Sequence, residues 1–254
     1  LYEGLGQSYN QATARLGMEI GLPAVVNTMR RLGYTKPLPE LPSLFLGSVG
    51  MSPLEVAQLY HTIATNGFYS PLRAISSVFT AENTPLKRYP FEAEQRFDPA
   101  VMHLINYGLQ VVLREGTGKS AYKRLPEDLV LAGKTGTTND QRDSWFAGFS
   151  GNYLSVVWMG RDDNGKTPLT GGTGALQLWI DIMSELENRS VVFHKPEGVS
   201  YHWVETDTGL LSQRGCAGAR YIPFIDGSEP VKRGSCSPES IENVVDWLKG
   251  KLGW

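Results

Sequence analysis

The chain has 254 residues, 41% hydrophobic and 20% charged, the balance of an ordinary globular protein with one large domain or two small ones. Its net charge of −2 provides no basic field for nucleic acid, and no run of about 18 apolar residues is present to span a membrane as a helix. No signal-peptide pattern opens the chain and its first residue is Leu1 rather than Met, so the natural N-terminus is expected to lie elsewhere.

Ala12, Leu16 and Ile20 recur every fourth place before Gly21, which predicts a helix with a left-handed stop. Pro23 opens a second helix, with Val25, Met29 and Leu32 on one face and Gly33 after it. Ser52-Pro53-Leu54-Glu55 reads as a capping box for a helix running to Thr65 and stopping at Asn66-Gly67. Asp98-Pro99 caps another, with Val101, Leu104, Ile105, Leu109 and Val112 expected inward and Gly116 after it. Three strands follow, at 128–137, 144–150 and 153–161, the last two joined as a hairpin across Gly151-Asn152. A helix is expected over 174–187, then a strand pair over 200–212 turning at Asp207-Thr208-Gly209. A final amphipathic helix starts at Ser237-Pro238, with Ile241, Val244, Val245 and Leu248 on one side. Helices first, then antiparallel strands, then helix again argue an α+β or mixed α/β fold rather than alternating βαβ units.

Cys216 and Cys236 bound a loop rich in glycine and proline. Two readings fit: a disulfide formed in an oxidising compartment, or two reduced, buried thiols. No His or Cys lies at metal-ligand spacing, so no metal site is expected, and no motif calls for a cofactor.

The strand at 128–137 changes character half way. It begins apolar and ends Gly133-Lys134-Thr135-Gly136-Thr137, residues with no use in a packed strand. A glycine there marks close approach by another backbone or a ligand. An edge-strand lysine also guards against aggregation, but that leaves the neighbouring threonines and glycine unexplained. Lys-Thr-Gly is one of three motifs of serine acyl-transfer enzymes, with Ser-x-x-Lys and Ser-x-Asn. Ser-x-Asn occurs at Ser8-Tyr9-Asn10, where it also suits a helix cap, and at Ser150-Gly151-Asn152, where turn chemistry explains it. Asp143, Ser144 and Trp145 either wall a cleft or serve as turn and core, and Arg161-Asp162-Asp163 reads as a surface turn with local ion pairs.

Longer stretches resemble one family. "LGQSYNQATARLGMEIGLPAVVNTMRRLG", "LFLGSVGMSPLEVAQLYHTIATNGFYSPLRAI", "EGTGKSA", "LAGKTGTTND", "DSWFAGFSG" and "VVWMGRDDN" are similar, in order and spacing, to the transpeptidase domain of bifunctional, class A penicillin-binding proteins over residues 4–185. The tail, with "CAGARYIPFIDGSEPVKRGSC", is similar to the 1B type of that family. The resemblance implies a penicillin-binding-protein/serine β-lactamase-like fold, an antiparallel sheet flanked by helices. It divides the chain into the C-terminal portion of the transpeptidase domain at 1–190 and a small extension at 191–254, stapled by Cys216 and Cys236.

The chemistry implied is acyl transfer from D-Ala-D-Ala through a serine acyl-enzyme. Ser8 would relay the proton, Lys134 would hold Ser8 and supply positive potential, and Asn10 would hold the acyl-side amide. Thr135 and Thr137, on one strand face, would read the ligand carboxylate. The Thr137 N–H would be an oxyanion donor, Gly136 would allow close approach, and Tyr9 would line the cleft. One departure matters. The sole Ser-x-x-Lys, Ser120-Ala121-Tyr122-Lys123, follows Ser8-Tyr9-Asn10 instead of preceding it, and Ser120 reads as a loop serine near a chance lysine. The nucleophile is therefore expected upstream of Leu1. The partners implied are peptidoglycan stem peptides, β-lactams, the upstream part of the same protein with a membrane anchor and glycosyltransferase domain, and an outer-membrane lipoprotein activator. The location implied is the periplasm, anchored in the inner membrane. The alternatives are a D,D-carboxypeptidase or β-lactamase on the same fold, or a non-catalytic penicillin-binding scaffold.

Overall fold

The computed structural model describes residues 1–234 and 236, and contacts gather into two units, residues 1–194 and 195–254. The first unit runs α1 (Tyr2–Gly6), α2 (Asn10–Ile20), α3 (Leu22–Leu32), α4 (Pro53–Ala64), β1 (Phe68–Tyr69), β2 (Ser77–Phe79), β3 (Pro85–Arg88), β4 (Glu94–Gln95), α5 (Pro99–Arg114), β5 (Ala132–Thr137), β6 (Ser144–Phe149), β7 (Leu154–Met159) and α6 (Ala175–Ser184).

The helix ends follow local chemistry. Ser52 and Glu55 close a full capping box on α4, and the Ser52 N–H is the main reason the Glu55 carboxyl falls to about 2. On α5 the Asp98 carboxylate accepts from the Ala100 N–H at 2.7 Å. Gly33 ends α3 in the left-handed region, at φ +112°, where only glycine avoids a Cβ penalty.

β5, β6 and β7 form an antiparallel sheet in that order, so β5 is an edge. Thr135 pairs with Phe146 and Phe146 with Val157, while Lys134 pairs with Ala147. Alternation along β6 then sorts the two faces. Phe146 meets α6, its ring 4.8 Å from that of Trp179, in a core with Leu113, Leu131, Leu176, Ile180 and Met183. Phe149 and Ala132 face the other way, towards Leu109 of α5 and Tyr60 and Ile63 of α4. Helices thus cover both faces of the sheet. Lys134 lies on the α4–α5 side, and Thr135 and Thr137 lie on the α6 side.

Three expectations are corrected. The strand predicted from residue 128 begins at Ala132, because the Val130 backbone pairs instead with the Ser190 hydroxyl and the Val191 N–H. On α5, Val101 and Ile105 are exposed, and the inner face carries Met102, His103, Asn106, Leu109, Val112 and Leu113. Asn106 Nδ2 donates to the Ile63 carbonyl at 3.1 Å, so a buried polar pair rotates the stripe that apolar residues alone suggest. The strand pair expected within 200–212 is also different. In the second unit β8 (Val199–Glu205) pairs with β9 (Ala219–Ile225), and Leu211 makes only isolated bridges to Val204 and Arg233.

Tyr221 supplies the reason, its ring 5.2 Å from those of Tyr201 and Trp203, a cross-strand aromatic cluster that 210–212 cannot offer. Cys216 and Cys236 form a disulfide, which settles the open reading of that pair. By loop entropy it contributes about 3 kcal/mol. The helix expected from Ser237 lies outside the described residues. Among the described residues no helix is long and apolar enough to cross a membrane.

Trp179 has no exposed surface, and its replacement by alanine is expected to cost about 3–5 kcal/mol in urea unfolding. A loss below about 1 kcal/mol would show that the sheet does not depend on α6.

Candidate active site

α1 is too short to stand alone and is fixed by α5. The Tyr2 and Tyr107 rings meet edge-on at 5.2 Å, and Leu5 packs where Gly108 leaves room. At the end of α1 the Thr117 N–H donates to the Gly6 carbonyl at 3.0 Å, and Gln7 Nε2 donates to the Glu115 carbonyl at 3.2 Å. The approach is close, since a Cβ on Gly116 would stand 2.1 Å from the Gly6 oxygen. The chain then turns through Ser8, whose φ of +58° carries a penalty of about 1–2 kcal/mol for a residue with a Cβ. That turn aims the Ser8 hydroxyl at β5.

Lys134 Nζ donates to Ser8 Oγ across 126 positions of sequence. It also donates to the Thr135 carbonyl at 3.0 Å and stands 3.5 Å from Thr135 Oγ1. Among the described residues no carboxylate pairs with it. Desolvation disfavours the charged form of a lysine, and burial pushes Lys134 down to about 8. It is still mainly an ammonium at neutral pH, with neutral oxygens as its partners.

The open edge of β5 follows from register. The Thr138 N–H donates to the Asp143 carbonyl at 3.1 Å, which makes that pair, and by alternation Gly136 and Lys134, the ones bonded to β6. The backbone groups of Thr135 and Thr137 therefore point away from β6, to the edge where Lys134 and Ser8 meet. On the opposite face the Thr137 hydroxyl accepts from the Gly171 N–H at 2.8 Å, and Thr135 Oγ1 lies 2.7 Å from Thr117 Oγ1. Gly171 has no room for a Cβ, which would stand 2.6 Å from the Gly136 oxygen.

Ser8, Lys134 and Thr135 are thus brought into one cluster, with Thr137 and Gly136 next along the strand. Ser8 is not a helix cap: Tyr9 occupies the cap position of α2, without a side-chain bond. Tyr9 and Asn10 are both exposed, Tyr9 with its hydroxyl 3.5 Å from Glu3 Oε1. Ser120 accepts from Gln177 Nε2 at 3.3 Å and takes no part in the cluster. Asp143 is a joint, accepting from Thr138 Oγ1 and Trp158 Nε1. The Ser144 hydroxyl is buried between Thr170 and Ala175. Arg161 and Asp163 pair on the surface. Sequence reasoning missed Thr117 and Gly171. Their signal was a threonine between two glycines and a Gly-Gly pair ahead of a helix.

A serine hydroxyl held by a partly buried ammonium, beside outward N–H groups at a strand edge, is the equipment of an acyl-transfer site. The chain belongs to the penicillin-binding protein transpeptidase domain family, whose sequence model matches residues 1–165. Transpeptidases move acyl groups, so this is a family of acyl-transfer enzymes. Over 256 residues, all of this chain and 32% of the relative, it is 34% identical to penicillin-binding protein 1B of Vibrio cholerae. The chain spans roughly 30% of the length of the curated relatives it matches. In fold it is similar to penicillin-binding protein 1A of Haemophilus influenzae, with TM-score 0.84 and 23% identity over 92% of this chain and 41% of that one. A second similar structure is PonA1 of Mycobacterium tuberculosis in complex with penicillin V, with TM-score 0.66 and 22% identity over 77% of this chain and 59% of that one.

The lowered Lys134 value has a sign that can be checked. The unfolded lysine, near 10.5, binds a proton that the folded one has released above about 8. Stability therefore rises with pH between those values, and below about 8 the burial cost is present in full. Wild type is expected to gain about 3 kcal/mol over Lys134→Met across that window. Equal slopes for the two proteins in urea unfolding would mean that Lys134 is not desolvated.

Proposed function

We propose that the chain is the C-terminal portion of a D,D-transpeptidase domain, residues 1–190, followed by an extension over 191–254, within a class A peptidoglycan synthase of the 1B type. The observation that carries this reading is the Ser8–Lys134 contact at the open edge of a Lys-Thr-Gly strand, in a chain of the transpeptidase family. The relatives' greater length supports an upstream segment holding the nucleophile, a membrane anchor and a glycosyltransferase domain. On this reading the chain lies in the periplasm, tethered to the inner membrane.

In this reading an upstream serine gives its hydroxyl proton to the lysine of its own Ser-x-x-Lys motif and attacks the carbonyl carbon between the two terminal D-Ala residues of a stem peptide. The serine Oγ–C bond forms as the C–N bond breaks. The proton is relayed through Ser8, held in line by Lys134, to the departing D-Ala amine. The amine of a neighbouring stem peptide then attacks the ester, an amide forms, and the serine regains its proton. The developing oxyanion meets the Thr137 N–H at the free edge. The ligand carboxylate meets the Thr135 and Thr137 hydroxyls and the potential of Lys134, while Asn10 takes the acyl-side amide and Tyr9 borders the cleft. A β-lactam carries the same carboxylate and reactive carbonyl, so it enters the first step and stays. An outer-membrane lipoprotein activator completes the set of partners proposed for the whole protein.

The test is labelling with a fluorescent penicillin, read by intact mass. The isolated chain is expected to take no label, and the chain joined to its upstream segment is expected to take one. In the joined protein Ser8→Ala and Lys134→Ala are each expected to slow labelling by about 100-fold or more. A stable adduct on the isolated chain would place the nucleophile within it. A joined protein that binds penicillin without a covalent adduct would identify a non-catalytic scaffold.

A further inference from the structure

We infer that Thr117 is a positioning residue that aims the Thr135 hydroxyl at a ligand carboxylate and so sets the preference of the site for carboxylate-terminated ligands. The inference rests on the acyl-transfer reading above. The two hydroxyl oxygens are 2.7 Å apart and share two protons, one of which is used in their mutual bond. If Thr117 donates, Thr135 Oγ1 accepts from it and faces the Lys134 ammonium at 3.5 Å. Both acceptor positions of Thr135 are then engaged, and its own proton turns outward. A carboxylate can only accept, so it selects this order of donors. The charge-assisted bond is roughly twice as strong as a neutral one, and the Thr117 bond polarises Thr135 further.

Packing does not explain this threonine, because Thr117 is exposed. Its position is nevertheless set on both sides. Its N–H is bonded to the Gly6 carbonyl. Gly116 is pressed against the same carbonyl, and a Cβ on Gly118 would stand 2.9 Å from Leu113 Cδ2. A hydroxyl on so constrained a backbone cannot follow a moving partner, and Thr135 must align to it. Thr137 is treated in parallel. Its oxygen accepts from the Gly171 N–H at 2.8 Å, and its proton is left outward on the same face. Two donors thus stand side by side, each fixed from behind by a loop outside the strand, which suits an acceptor with two oxygens.

The test compares acylation of the protein, joined to its upstream segment, by benzylpenicillin and by benzylpenicillin methyl ester, which keeps the reactive ring and loses the charge. Thr117→Val is expected to lower the second-order rate with the free acid about tenfold and with the ester less than about twofold. Thr117→Ala, which removes the hydroxyl without the branched side chain, is expected to show the same split should the valine variant fold poorly. Thr117→Ser, which keeps the hydroxyl, is expected to hold both rates within about twofold of wild type. Equal losses on acid and ester, no loss on the acid, or a loss in T117S matching that in T117V would overturn the role of Thr117. Wild-type protein that takes neither compound would overturn the acyl-transfer reading, and this inference with it.

Discussion

The hydrogen bond from the Thr117 N–H to the Gly6 carbonyl, 3.0 Å long, ties the turn that carries Ser8 to the loop whose Thr117 hydroxyl meets Thr135, and so links the two halves of the site. One half is a turn at the end of a five-residue helix, and the other is an edge strand 126 positions later. Neither half holds a geometry by itself. A helix of that length is unstable in isolation, and an edge strand has one side unpaired. The crossing at Gly116 fixes the first half, because no side chain fits between the end of α1 and the loop after α5, and Thr117 carries that constraint to the strand through Thr135. Ser8 can then sit in a left-handed turn that a serine does not favour, its cost offset by the packing of α1 on α5.

The second constraint is desolvation. Lys134 is a partly buried cation whose partners are a hydroxyl, a carbonyl and, more distantly, a second hydroxyl. Neutral oxygens solvate an ammonium without cancelling it, so the positive potential remains available at the strand edge. A carboxylate partner would have stabilised the lysine better and abolished that potential. The threonines beside it extend the same logic. The Thr135 and Thr137 oxygens are engaged by neighbouring loops, and their protons, inferred to turn outward, give the strand a surface of donors next to a cation. That surface suits an anionic ligand and an oxyanion, the two charges that acyl transfer from a carboxylate-terminated peptide presents.

Much of this was legible in the residues. The capping box at Ser52 and the cap at Asp98 are local chemistry, and both formed as read. The hairpin at Gly151-Asn152 was marked by its turn residues. Lys134 stood out because a lysine followed by Thr-Gly-Thr has no packing role. Ser8 was harder, since Ser-Tyr-Asn suits a helix cap as well as a site, and only the docking of α1 on α5 decides between them. Thr117 was invisible for the same reason. Its partner is 18 positions away and its meaning comes from a crossing of backbones. The inner face of α5 was misread because His103 and Asn106 are buried polar residues, which an apolar pattern passes over. The strand Ala219–Ile225 was hidden inside a cysteine loop by its proline, and its pairing with β8 is fixed by aromatic contacts made across the sheet.

The most direct test is to map the acylated residue. The protein joined to its upstream segment would be reacted with penicillin, digested, and the penicilloyl peptide sequenced by mass spectrometry. The predicted result is an adduct on a serine ahead of Leu1 that stands three places before a lysine, with Ser8 unmodified. An adduct on Ser8 or Ser120 would contradict it. Either would mean that the Ser8–Lys134 pair carries the nucleophile or stands apart from it, rather than serving a serine supplied from elsewhere.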